Sequence, residues 1–120
     1  MSRDGMRRRR EVLGDDHVDR AEARTTGFDA EFQQWITDTA WGGVWSRPGL
    51  DTRTKSLVTI AILAALGREE LDIHLRAIEN TGVSAEEVME VLYHVAIYAG
   101  IPAAHGAVGR AKHIYEGEEG

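Results

Sequence analysis

Gly82-Val83-Ser84-Ala85-Glu86-Glu87-Val88 is the stretch that decides how this chain is read. Ser84 with Glu87 three residues on forms a capping box. Each side chain reaches the other's backbone N–H, satisfying donors that a helix start leaves open. Val83 and Val88 stand where a hydrophobic staple closes over such a start. The helix opened here runs to Ala99 and stops at Gly100. Upstream, Leu71, His74, Leu75 and Ile78 recur at helical spacing, which predicts a helix over 68–81 ended by Gly82. Before it, 52–66 reads as a helix capped by Asp51 and closed by Gly67. Its second half, 57–66, is apolar on every side and is expected to lie centrally, buried all round.

Further out, Phe32, Trp35, Ile36 and Thr39 form an apolar helical stripe with Asp29 as its N-cap and Gly42-Gly43 as its end. Residues 11–23 read as a short polar helix ended by Gly27, and 1–10 as a flexible tail. Downstream, Pro102 suits the first turn of a last helix. Ala103, Ala104, Ala107, Val108 and Ala111 give that helix a face of small residues that another helix can approach. An acidic tail is expected over 117–120. The fold class is therefore all-α, one domain of about six helices over 11–116.

Composition narrows the function. The chain has 120 residues and 42% apolar residues, enough for one small globular domain that association with copies of itself would help. It has no cysteine, which removes disulfides, thiolate metal sites and thiol redox chemistry and fits a reducing cytoplasm. The longest apolar run is too short to span a bilayer, so no membrane partner is expected. Arg7 to Arg10 form a basic run, but carboxylates follow it and the net charge is −6, so no nucleic-acid partner is expected either.

Four places can carry chemistry. Glu70 precedes His74 by one turn, a proton-handling pair or an ordinary helix pair around a half-buried imidazole. His94 and Tyr98 share a helix face, as donors or as polar tips of a core face. Arg47 lies in Trp45-Ser46-Arg47-Pro48-Gly49-Leu50, where no helix can continue. Its guanidinium suits a carboxylate, with Trp41 and Trp45 as water-excluding walls and Arg53 adding charge. Equally, the tryptophans could simply pin a surface loop to the core. His105 and His113 complete the histidines of the second half, but nothing in their spacing asks for a metal.

Taken together, Trp45 to Asp51, the Ala61-to-Gly67 helix end, Glu70 with His74, and His94 to Ala104 resemble the carboxymuconolactone decarboxylase family. The likeness runs from about Arg8 to about Tyr115. It implies the all-helical fold shared with alkylhydroperoxidase D-like proteins and a homo-oligomer, a hexamer. The peroxidase branch carries Cys-x-x-Cys-x-x-x-His. With His74 as that histidine, the cysteine positions fall on Gly67 and Glu70, and the branch's relay glutamate falls at or near Lys55. Peroxidase chemistry therefore does not carry over.

What the resemblance implies is cofactor-free decarboxylation of 4-carboxymuconolactone to 3-oxoadipate enol-lactone in protocatechuate catabolism. Arg47 would hold the substrate's acetate carboxylate. His74, oriented by Glu70, would deliver the proton, and His94 or Tyr98 would donate to the lactone oxygen. Trp41 or Trp45 would face the departing carboxylate. Two rivals remain: a decarboxylase or isomerase of another carboxylated lactone, and a non-catalytic helical oligomer that binds a small acid or a protein.

Overall fold

The computed structural model describes residues 2–117, with side chains from Asp4 onward. The expected tail beyond Gly117 lies outside the described residues. Every regular element is helical: α1 Ser2–Leu13, α2 Asp15–Arg24, α3 Ala30–Ile36, a π-helical segment Thr37–Val44, α4 Thr52–Leu66, α5 Leu71–Arg76, α6 Ile78–Thr81, α7 Ala85–Tyr98 and α8 Ile101–Glu116. That is all-α, with eight α-helices among the described residues rather than about six. The chain forms two compact units, one ending at Thr52 and one beginning at Arg53.

In the first unit the N-terminal stretch is not a loose tail. It is a helix whose Gly5, Arg9 and Val12, at i, i+4 and i+7, form one buried face. Gly5 has to be glycine: a Cβ there would stand 2.4 Å from the Thr37 carbonyl oxygen, so α1 meets the π segment backbone to backbone. The four arginines of the basic run each meet carboxylates nearby. Arg7 pairs with Asp4, Arg8 with Glu11, Arg9 with Glu22, and Arg10 with both Asp15 and Asp19. Gly14, at φ 90°, separates α1 from α2 within what reads as one polar helix.

The stripe on α3 also departs from expectation. Phe28, Phe32 and Trp35 are exposed, and Phe32 stacks on Trp35 at the surface. Asp29 occupies the N-cap position without capping. Its carboxylate instead accepts from the Thr26 backbone N–H and from Gln33 Nε2. Nor do Gly42 and Gly43 end the helix. The ladder widens through them, and the Trp45 N–H reaches back five residues to the Ala40 carbonyl at 2.8 Å. This wider turn seats Trp41 and Trp45 against Val12, stacked on each other at 4.9 Å.

The second unit follows the sequence pattern closely. Ser84 accepts from the Glu87 N–H and Glu87 accepts from the Ser84 N–H, so the capping box is complete. Val83 and Val88 are buried, as a staple requires. Gly67, Gly82 and Gly100 all take positive φ where a helix ends or begins. Leu71, Leu75 and Ile78 are buried against α7 and α8, and Ala104, Ala107 and Ala111 line the small-residue face of α8. Two expectations fail. The helix expected over 68–81 begins only at Leu71 and is divided at Ala77 into α5 and α6, and α4 is not central. Ser56, Ile60 and Ala64 are buried, but Val58, Ile62 and Leu66 are about half exposed, so this helix buries one face and not all of its circumference.

Candidate functional site

The expected site residues fall in both units. In the first, Trp41 and Trp45 are 6% and 9% exposed, core side chains and not walls open to solvent. They anchor the π segment, and the exposed loop of residues 46–51 leaves directly from it with Arg47 near its start. Two bonds direct that departure: Ser46 Oγ donates to the Trp41 carbonyl at 2.8 Å, and the Arg47 N–H donates to the Val44 carbonyl at 3.1 Å.

In the second unit, α4 and α7 enclose an open groove of about 790 Å³. Leu57, Ala61, Ile62 and Ala65 form its α4 side, and Val91 and Val95 the floor of its α7 side. Glu90, His94 and Tyr98 stand at i, i+4 and i+8 along α7 and also line it. The His94 and Tyr98 rings stack at 5.2 Å with 29° between planes. Both are exposed, so an imidazole and a phenol present hydrogen-bonding edges over an apolar surface. Such a combination binds a small ligand by its apolar face and orients it by a few polar contacts. Sequence reasoning passed over Glu90, although its spacing to His94 is the spacing that singled out Glu70 and His74.

Glu70 and His74 do not line that groove. Glu70 takes the N-cap position of α5 and is exposed in a separate depression of about 500 Å³. Glu69, Asp72, Arg76 and Arg110 share this depression, and Arg110 Nη1 donates to Asp72 Oδ1 at 3.2 Å. His74 is half-buried on α5 between the buried Leu71 and Leu75. Arg53, expected to add free positive charge, is paired with Glu87 of the capping box instead. His105 and His113 are exposed on α8, and among the described residues no group of side chains is arranged to hold a metal ion.

One phenol in this unit is strongly perturbed. Tyr115 on α8 donates to the Leu75 carbonyl on α5 at 2.8 Å, and burial pushes its pKa up to about 12. It pins α5, the helix of His74, to α8.

Residues 30–113 match the sequence profile of the carboxymuconolactone decarboxylase family, across parts of both units. The chain is 49% identical over 113 residues to the 4-carboxymuconolactone decarboxylase of Acinetobacter baylyi, covering 93% of this chain and 84% of that protein. It is 39% identical over 103 residues to a nitrosuccinic acid decarboxylase of Metarhizium robertsii, covering 83% of this chain and 71% of that one. A shorter stretch of 38 residues, 32% of this chain and 79% of the other, is 53% identical to the 4-carboxymuconolactone decarboxylase of Pseudomonas putida. The chain belongs to the carboxymuconolactone decarboxylase family.

Proposed function

We propose that this protein decarboxylates 4-carboxymuconolactone to the enol-lactone of 3-oxoadipate, in the catabolism of protocatechuate. The observation that carries the reading is the 49% identity, over 93% of the chain, to a protein named for that reaction. The substrate is an unsaturated five-membered lactone with one carboxylate on the ring carbon beside the lactone oxygen and another on an acetate arm. When the ring carboxylate leaves as carbon dioxide, its bonding pair moves through the ring double bond to the lactone carbonyl oxygen. A proton then adds to the carbon next to that carbonyl, and the double bond comes to rest at the carbon that lost the carboxylate. The substrate is its own electron sink, so the reaction needs no organic cofactor.

The protein has three tasks, and we assign them as follows. Arg47, at the head of an exposed loop, takes the acetate carboxylate through its guanidinium fork. His94 or Tyr98, exposed on the apolar groove, donates to the lactone carbonyl oxygen where charge builds up. His74, with Glu70 one turn earlier, is the proton donor, a role the α4–α7 groove does not carry by itself because neither residue lines it. Trp41 and Trp45 serve binding by holding the Arg47 loop in place. Arg53, engaged by Glu87, has a supporting role at most. We further propose a homo-oligomer, a hexamer, working in the cytoplasm. In support, Tyr93, Ile97 and Ile101 stand exposed outside the groove on one small chain, and a second copy would cover such surface. No helix among the described residues is long and apolar enough to cross a membrane.

The test is a direct assay. 4-Carboxymuconolactone is generated enzymatically, and its loss is followed with a metal chelator present and product trapped by an enol-lactone hydrolase. Turnover at ordinary enzymatic rates is expected, and His74→Ala should lower kcat about 100-fold or more. A folded, oligomeric sample that leaves the lactone intact would sink the substrate assignment. Nitrosuccinic acid belongs in the same assay, since preference for it would keep the reaction class and change the substrate.

A further inference from the structure

The basic run near the N-terminus has a use that neither charge pairing nor helix packing exhausts. Arg8 lies one turn beyond Gly5, the point where α1 and the π segment touch backbone to backbone. From there its half-buried side chain makes three contacts in three directions. Nε donates to the Trp45 carbonyl at 3.1 Å, Nη2 to Thr52 Oγ1 at 2.5 Å, and Nη1 to Glu11 Oε1 at 3.1 Å. Trp45 is the last residue before the exposed loop 46–51, and Thr52 is the first after it.

We propose that Arg8 is a positioning residue that closes the Arg47 loop and thereby sets the affinity for the carboxylated substrate. This rests on the reading of Arg47 as the anion clamp. The geometric argument is short. Seven residue steps separate Trp45 from Thr52, enough to extend roughly 23 Å. One guanidinium touches both ends, so the two accepting oxygens lie within about 8 Å of each other. The loop is thus a short Ω-shaped excursion with a shared clasp at its neck. Ser46 and Arg47 are bonded back onto the π segment, which fixes the start of the excursion, and Arg8 ties that start to the first residue of α4.

A clasped loop matters because ordering a loop and a long side chain at the moment of binding weakens affinity. With the neck closed beforehand, that ordering has been done when the substrate arrives. Lysine would not replace Arg8. The three acceptors are a carbonyl, a hydroxyl and a carboxylate in different directions, and a planar fork meets them where a single ammonium does not.

The experiment uses the full chain and 4-carboxymuconolactone, comparing wild type with Arg8→Gln, Thr52→Val, Arg47→Ala and the double variant Arg8→Gln/Arg47→Ala. Arg47→Ala is expected to raise KM about 10- to 100-fold, the loss of a charged hydrogen-bonding partner. Arg8→Gln should raise KM about five- to tenfold with kcat within about twofold of wild type. Millimolar guanidinium ion should restore part of the affinity. In the Arg47→Ala background, Arg8→Gln should add nothing, because it acts through Arg47. Thr52→Val, which removes one contact and leaves α1 untouched, should raise KM about two- to threefold, and it decides the matter if Arg8→Gln does not fold.

Wild-type KM in both Arg8→Gln and Thr52→Val, with Arg47→Ala still impaired, overturns the clasp and leaves the clamp standing. An Arg8→Gln effect that simply multiplies with that of Arg47→Ala also overturns it. If Arg47→Ala keeps wild-type KM, the clamp reading itself fails and the clasp falls with it.

Discussion

Among the described residues, the unit that begins at Arg53 gathers twelve buried apolar side chains into one cluster, all of them aliphatic. The corresponding cluster in the unit that ends at Thr52 has three among the described residues, and two of those are tryptophans. What the first unit lacks in aliphatic burial it makes up with a backbone-to-backbone approach at Gly5 and with a row of arginine–carboxylate pairs. The difference teaches where shape comes from in each. In the second unit many non-directional contacts add up around one shared centre. In the first unit few contacts act, and each depends on geometry. Arg9 illustrates this. Burial lowers its pKa, and the Glu22 carboxylate at 4.0 Å opposes that shift.

The comparison is broken most forcefully at Leu75, which is completely buried at the centre of the aliphatic cluster. Leu75→Ala should cost about 2–5 kcal/mol of unfolding free energy, read from denaturant titration of far-ultraviolet circular dichroism. A loss below 1 kcal/mol would mean that the second unit does not rest on this cluster.

Gly5 offers the matching test in the first unit. A single methyl group at Gly5→Ala must push against the Thr37 carbonyl, which belongs to backbone and cannot rotate away. Overpacking of this kind costs about 1–3 kcal/mol. All three tryptophans, Trp35, Trp41 and Trp45, lie in the first unit, so their fluorescence reports it directly. An emission spectrum and unfolding midpoint unchanged by Gly5→Ala would remove the close approach from the account.

The same difference explains what could be read in the sequence. The bounds of α4, the capping box at Ser84, the stops at Gly67, Gly82 and Gly100 and the Leu71–Leu75–Ile78 stripe follow from local periodicity and capping chemistry, and they hold. The N-terminal helix did not show itself, because its buried face is made of Gly5, Arg9 and Val12, which no hydrophobic pattern selects. The π segment ran through Gly42-Gly43 because Trp41 and Trp45 pack on Val12, a tertiary contact that overrides a local stop signal. For α4 the difference is of another kind. An all-round apolar run reads as a central helix, yet Val58, Ile62 and Leu66 face away from the cluster of their own chain. Of the candidate site, the Glu90–His94–Tyr98 row is visible as simple spacing. The Arg8 contacts span 37 and 44 residues and leave no local trace.

Tyr115 carries the smallest expected effect and separates the two kinds of unit by pH. Its phenol is the polar pin of the aliphatic unit, and its pKa lies at about 12 in the folded chain against about 10 when unfolded. The folded state therefore holds the proton more tightly. The resulting stability is fully present below pH 10 and is lost as pH climbs toward 12, because the unfolded chain ionises first. Tyr115→Phe removes that dependence and also leaves the Leu75 carbonyl without its donor, a cost of about 0.5–1.5 kcal/mol at neutral pH. Wild type should thus be the more stable protein at pH 8, and its advantage should shrink as pH passes 10. In the first unit the arginine of the Arg10 pairs is held by Asp15 and Asp19 above its ordinary range, so those contacts keep their charges through the same interval. Denaturant midpoints measured for both proteins from pH 8 to 11.5 test this. Parallel curves would show that the phenol is no better protected in the folded chain than in the unfolded one, and that the pin between α5 and α8 does not form.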